Sequence, residues 1–364
     1  MDGFAVRSAD FEPQLAARSS PSGKGGEVLL EVLGESRAGV PFEGPVARSQ
    51  CVEIYTGARV PEDCDAVVII EKSIREERSV RLEGPAEAGQ NICNQGEDLT
   101  SGALALRAHR RLSPTDLSVL AAVGCSPVPV FRRPRVSILT TGDELVAPGE
   151  TPGFGQIREG NTLHLAALAA RAGGEVIDVG LVADRTDELE ARFGAALDQS
   201  DVLITTGGVS MGRYDLVAQV FRTLGVREVF HKVAVKPGKP IWFGVHGAKL
   251  IFGLPGNPVS CLVDQEIFVR PALAKLGNAL PLEWGQGLRK GRWSGKDMAQ
   301  HARQRYVPVH VSQAGDGVDE LSRLDWSSSA DIVGLAEADG LALVPSGTGL
   351  QSGSLVSYRP LARL

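Results

Sequence analysis

Residues 201–215 read DVLITTGGVSMGRYD. An apolar run that suits a buried strand ends in two glycines. YDLVAQVFRTLG, apolar at helical spacing, follows. Strand, tight turn and helix in that order are the setting of the hydrolase nucleophile elbow, and GVSMG is a literal G-x-S-x-G. The same setting serves a second chemistry. Glycines let backbone N–H groups close around an anion, and the following helix adds its positive end. Ser210 is therefore either a nucleophile or a member of an anion-holding loop, and the rest of the chain has to decide.

On both sides of this stretch, strand-like and helix-like runs alternate. RVSILTTG (135–142), EVIDVG (175–180), EVFHKVAV (228–235), PIWFGV (240–245) and KLIFGL (249–254) read as strands. NTLHLAALAARAGG (161–174) reads as a helix with Asn161 as N-cap and Gly173 as stop, and TDELEARFGAAL (186–197) as another. PVSCLVDQEIFVRPALAKL (258–276) reads as one long helix with Asn257 as N-cap and Pro258 in the first position. Such alternation predicts a mostly parallel sheet with helices on both faces.

Further out the pattern is all β. Short runs (EVLLEVL, CVEIYTG, AVVIIEK) and a polar hairpin, SIREERSVRLEG, predict an N-terminal β domain over 1–96. Residues 97–133 hold one helix, SPTDLSVLAAVG, with Ser113 as N-cap, Pro114 at its start and Gly124 as its stop, in a linking segment. The α/β domain is expected over 134–277. A small barrel-like β domain (QRYVPVHV, GLALVPSG, GSLVSYRPL) is expected over 278–364. The fold class is thus multidomain α/β.

Composition narrows the function. A net charge of −6 disfavours a non-specific nucleic-acid binder. The longest apolar runs are too short to span a membrane, and no leader is expected at the start. Five cysteines without C-x-x-C spacing read as reduced thiols of a cytoplasmic protein, and six histidines without a ligand motif argue against structural zinc. There is no G-x-x-x-x-G-K-[ST] and no G-x-G-x-x-G after a strand, which disfavours P-loop hydrolysis and dinucleotide redox chemistry.

In an open α/β sheet, ligands sit beyond the carboxyl ends of the strands. Four of these ends carry chemistry: Gly142-Asp143-Glu144, Gly207-Gly208-Val209-Ser210 with Asp215, Lys236-Pro237-Gly238-Lys239-Pro240, and Pro255-Gly256-Asn257-Pro258. Each has a plain structural explanation alone, as a turn, a cap or a solvated surface. Together they describe a site for a polyanion: glycine nests, two lysines on a proline-stiffened turn, and acids suited to a hard cation such as Mg²⁺. A neutral ester needs no such charge. A hydrolase reading of Ser210 also lacks an oxyanion segment of the HGGG type. Of its candidate histidines, His231 and His246 fall in strand-like runs, and His301 and His310 in the C-terminal β domain.

The stretches MDGFAV, TGARVPEDCDAVVIIE, GEDL, TTGDELVAPG, GQIREGN, TTGGVSMGRYD, KPGKP, FGLPGNPVS and WSSSADI, in that order along nearly the whole chain, resemble the molybdopterin molybdenumtransferases, relatives of the gephyrin E domain. The resemblance implies that GVSMG is a glycine loop. It also implies conversion of adenylylated molybdopterin and molybdate to molybdenum cofactor and AMP, with Mg²⁺. By position, Asp98, Glu144, Asp215, Lys236 and Lys239 would be catalytic. Asp143, Glu144 and Asp215 would hold the metal. Asp2, Thr56, Gly207, Gly208, Ser210, Pro255, Asn257, Arg305 and Ser329 would contact substrate, with Asp2 and Thr56 reaching a partner subunit's site. The family is expected to be homodimeric, through a contact built partly by residues upstream of the motif at Met1, and to work between an upstream adenylyltransferase and the molybdoenzymes. The chain departs from the family pattern at Phe4 (ordinarily Tyr), before Gly96-Glu97-Asp98 (arginines absent) and at Arg213 (ordinarily an acid). An adenylyltransferase or a non-catalytic scaffold, built on the same α/β unit, and more remotely the hydrolase, are the competing expectations.

Overall fold

The computed structural model describes residues 1–11, 27–208, 216–279, 287–325 and 327–361. They form two compact units, Met1–Ala105 and Leu106–Leu364.

The first unit is built on six strands: β1 (Gly3–Val6), β2 (Glu27–Ser36), β3 (Gln50–Ile54), β4 (Ala66–Ile69), β5 (Ser73–Arg75) and β6 (Ser79–Glu83), in the order β4-β1-β3-β2-β6-β5. Strand β6 shows why it forms. Val80 and Leu82 point into the core, while Arg81 and Glu83 face solvent. Its hairpin with β5 is the polar one read from the sequence. Phe4, Phe11, Leu30 and Leu82 close the core.

In the second unit, Ser113 caps α1 (Pro114–Ala122) in a reciprocal box with Asp116. The central sheet follows. Its strands are β7 (Arg135–Thr141), β10 (Glu175–Val182), β11 (Val202–Thr206), β12 (Arg227–His231), β14 (Trp242–His246) and β15 (Lys249–Leu254), in the order β10-β7-β11-β15-β14-β12. A two-stranded ribbon, β8 (Leu145–Val146) with β9 (Ile157–Arg158), lies between β7 and the next helix. The first four strands of the sheet run parallel, and β14 is antiparallel to both β15 and β12.

Both faces are covered. Leu139, Leu203 and Ile251 pack on α3 (Thr186–Gln199) and α4 (Leu216–Thr223) through a stack of Phe193, Phe221 and Trp242, with centroids 4.9 and 5.1 Å apart. Their chain neighbours Ile138, Ile204 and Phe252 face the other way, onto α2 (Asn161–Arg171) and the final helix. That alternation explains why β7 and β11 are apolar almost throughout. The final helix runs as α5 (Pro258–Asp264), one π turn (Gln265–Val269) and α6 (Arg270–Leu276). Pro271 has no N–H to return to the preceding turn, which accounts for the widening there.

The last region contains α7 (Ile332–Ala336) and the strands β16 (Arg289–Trp293), β17 (Gln304–Gln313), β18 (Asp319–Arg323), β19 (Gly340–Val344) and β20 (Leu355–Pro360). They pair as β17-β18-β16-β20-β19, and β19 pairs back onto β17, closing a five-stranded barrel around Trp293, Val309, Leu321 and Tyr358.

Two expectations are corrected. EVFHKVAV is not one strand: β12 ends at His231, Lys232 takes φ +75°, and β13 (Val235–Lys236) leaves the central sheet to run parallel beside β17 of the barrel. A lysine at positive φ cannot continue an extended strand. Asn161 is the first residue of α2 and not its cap. Gly160 holds the cap position, and the Glu159 side chain accepts the hydrogen bond from the Thr162 N–H.

Candidate anion-binding site at the carboxyl edge of the central sheet

Strands β7, β11 and β15 deliver their carboxyl ends side by side, and side chains tie the three ends together. Asn161 Nδ2 donates to the Gly256 carbonyl (2.7 Å) and to Thr206 Oγ1 (3.3 Å), and Thr206 Oγ1 donates to the Pro255 carbonyl (3.0 Å). Below them, Thr140 and Thr162 share a hydroxyl contact of 2.7 Å beside the buried Glu159 carboxylate. Every buried polar group named here has a partner, which makes this floor rigid.

Above the floor lies a cavity of about 370 Å³, lined in part by Thr140, Glu144, Asn161, Gly207, Asn257 and Ile332. A Cβ at Gly207, which has φ +90°, would collide with the Thr141 carbonyl, so only glycine lets β11 turn this close to β7. Glu144 forms no side-chain hydrogen bond or ion pair among the described residues, and its carboxylate lies against Gly142. Asp143 Oδ1 accepts from the Asp184 N–H (3.2 Å), and Asp184 in turn accepts from the Thr141 hydroxyl. The first turn of α5 brings in a distant part of the chain. Asn257 Nδ2 donates to Ser329 Oγ (2.7 Å), and the Val259 N–H donates to the Ser329 carbonyl.

The lysine loop lies at the same edge by a different route. It leaves the carboxyl end of β12 and re-enters at the start of the antiparallel β14. Lys236 and Lys239 do not line the 370 Å³ cavity, and neither side chain has a partner among the described residues. Lys236 pairs in register with Arg305, a buried residue whose guanidinium donates to the Thr348 carbonyl (3.2 Å) and whose pKa is lowered by burial and by nearby Arg323.

Of the expected residues, Asn257 and Ser329 therefore meet, Arg305 and Lys236 meet, and Glu144 and Gly207 share one cavity. Pro255 contributes its carbonyl to the floor. Gly208 continues the left-handed turn at φ +63°. Ser210 and Asp215 lie outside the described residues. In the first unit, Asp2 Oδ1 accepts from the Thr56 N–H and hydroxyl, both at 2.8 Å, and these donors hold its carboxyl below the usual range. Asp98 sits in an exposed turn of the same unit. Among the described residues no three His, Cys, Asp or Glu side chains gather as a metal site. Sequence reasoning missed Asp184, Glu159 and the bridging role of Asn161. Asp184 had a signal, an acid directly after a parallel strand, but that acid reads equally as helix-starting charge.

Three family models match consecutive parts of the chain: the MoeA N-terminal region over residues 1–124, the probable molybdopterin binding domain over 137–275 and the MoeA C-terminal region over 294–361. The molybdopterin molybdenumtransferase of Bacillus subtilis is 35% identical over 98% of this chain and 81% of its own length. That of Nostoc sp. is 34% identical over 95% and 78%.

The chain belongs to the molybdopterin molybdenumtransferase family.

The match to the family member of Haemophilus influenzae is 39% identical over 76% of this chain and spans 65% of that protein. Among solved structures, the molybdopterin biosynthesis moeA protein of Pyrococcus horikoshii superposes with a TM-score of 0.79 at 27% identity, covering 99% of this chain and 86% of its own. In sequence, GVSMG falls within the stretch matched by the probable molybdopterin binding domain. Among the described residues no helix is long and apolar enough to cross a membrane, and all five cysteines are free thiols.

Proposed function

We propose that this chain inserts molybdate into adenylylated molybdopterin and releases AMP. One observation carries the reading: two lysines without side-chain partners and a carboxylate-lined cavity lie at the same edge of the central sheet. Lys236, Lys239 and the N–H groups of the 207–210 loop would hold the tetrahedral dianion and the adenylate phosphate by charge-assisted hydrogen bonds. Asn257, Ser329 and Arg305 would shape the substrate's other contacts. Asp143 and Glu144, just past the carboxyl end of β7, are hard oxygen donors, with Glu144 lining the cavity, and fit Mg²⁺, which ordinarily takes one or two carboxylates together with phosphate oxygens. With Asp215 they would hold it. When bound, the ion would neutralise phosphate charge as the adenylate bond breaks.

Asp2 and Thr56 are proposed to complete a partner subunit's site in a homodimer, and Asp98 to act as a catalytic acid. The four-part division at 96, 133 and 277, a cytoplasmic location, an upstream adenylyltransferase as supplier and molybdoenzymes as recipients belong to the same proposal. The test is AMP release from adenylylated molybdopterin with and without molybdate and Mg²⁺. Release that depends on both is expected. Ligand binding without turnover would replace the reading with a scaffold role. Labelling of Ser210 by a fluorophosphonate would revive the hydrolase.

A further inference from the structure

Asp264, the last residue of α5, is fully buried, and neither carboxyl oxygen has a hydrogen-bond partner among the described residues. Its neighbours Leu262 and Val263 are core residues, so nothing in the packing of the helix asks for an acid. What it touches is the lysine loop. A Cβ at Gly238 would collide with Asp264 Oδ1, so the carboxyl occupies the space a side chain would take, and Gly238 itself sits at φ +105°. Lys236 and Lys239 flank this glycine. A buried, unpaired carboxyl costs stability, and chains keep such local conflicts mainly where function requires them.

We propose that Asp264 is a positioning residue for the lysine loop, seating Gly238 and thereby setting how strongly Lys236 and Lys239 hold an anion. The inference rests on the anion-loop reading above.

Burial alone pushes the Asp264 carboxyl up to about 9, so at neutral pH it is uncharged and does not compete with the ligand for the lysines. Once ionised, it would set a negative charge behind the loop and oppose the incoming anion. The groups around it do not titrate first. Cys261 on the same helix is pushed up to about 12, and Tyr306 on β17 is raised by burial, with Asp264 contributing to both. Arg305 beside Tyr306 stays cationic. Further along the helix Glu266 is paired with Arg270 (3.1 Å), and Arg359 of β20 reaches it at 3.8 Å. Because the folded pKa lies above the unfolded one, the folded state keeps a proton that the unfolded chain has lost. Stability therefore falls as pH rises from the ordinary carboxylate range towards the folded pKa.

The experiment is calorimetric titration with AMP, whose phosphate keeps its charge from pH 7.5 to 9.5, on the wild type and on Asp264→Asn, Asp264→Ala and Lys239→Ala. Wild-type affinity is expected to fall about tenfold across that range. Asp264→Asn should match it at pH 7.5, stay nearly flat and melt higher. Asp264→Ala, which no longer seats Gly238, should bind more weakly at every pH. The difference between the wild-type and Asn curves is the readout. Parallel curves, an Ala variant that binds normally, or an Asn variant that melts lower would each overturn the proposal while leaving the loop reading intact. Normal AMP binding by Lys239→Ala, or none by the wild type, would instead remove the loop reading and this inference with it.

Discussion

The two ends of the central sheet carry similar residues and use them differently. At the amino end, Asp201 just ahead of β11 takes a bidentate grip from Arg132 and a hydrogen bond from the Arg135 N–H (2.7 Å). Lys249, the first residue of β15, donates to the carbonyls of Leu197, Asp198 and Ser200 and so closes the carboxyl end of α3. Both of these charges are satisfied within the fold. At the carboxyl end, Lys236, Lys239 and Glu144 have no side-chain partner among the described residues. The same residue types build structure at one end and remain available to a ligand at the other. What separates them is whether a carbonyl or a counter-charge stands within reach.

Substitutions can break this contrast. The largest effect is expected from Lys239→Ala: turnover lower by roughly tenfold to 150-fold, from a lost charge-assisted contact of about 1.5–3 kcal/mol, with the melting temperature unchanged. A lowered melting temperature with full turnover would show that this lysine too is structural. Lys249→Met should do the reverse, costing about 1–2 kcal/mol of stability and several degrees of melting temperature with turnover per folded molecule preserved. Loss of turnover at full stability would erase the distinction between the ends. Asn161→Ala sharpens it, because this residue sits at the carboxyl end but spends its amide donors within the fold. A stability loss of about 1 kcal/mol is expected, with a smaller loss of turnover than for Lys239→Ala, read from denaturant melts and AMP release together. The smallest effect concerns pH. Arg132 and the Arg135 N–H hold Asp201 below the usual carboxylate range, so its contribution is present above the unfolded pKa and fades as pH falls through the folded one. Between pH 6 and 3, the wild type should lose slightly more melting temperature than Asp201→Asn.

The contrast also explains what could be read from the sequence. Strands β7 and β11 were legible because burial on both faces leaves an unbroken apolar run, and the glycines after them because a sharp turn needs them. Helix α1 announced itself through Ser113, Pro114 and Gly124. The departure of β13 to the barrel was not legible. Val233, Ala234 and Val235 continue the apolar pattern, and only the backbone at Lys232 breaks it. Asn161 misled because it is a good N-cap residue in the right place, while its amide is drawn instead to the Gly256 carbonyl across the sheet. Glu159 and Asp264 were missed because an isolated acid in a sequence carries no sign of burial. The turn that carries Lys236 and Lys239 could be read from its prolines and glycine, but its pairing with the barrel through β13 could not.

That loop has a consequence for how the chain can be cut and recombined. Lys236 lies in the α/β region by sequence, yet its strand, β13, is paired with Gln304 and Arg305 of the barrel. A chimaera that exchanged the barrel as a cassette would keep its five closed strands but receive β13 from a foreign host. The seam would then run through the residue proposed to grip the anion. Successful grafts should be those that carry residues 232–241 along with the barrel, so the unit of inheritance at this site is a loop and a barrel together, though they are separated in the chain.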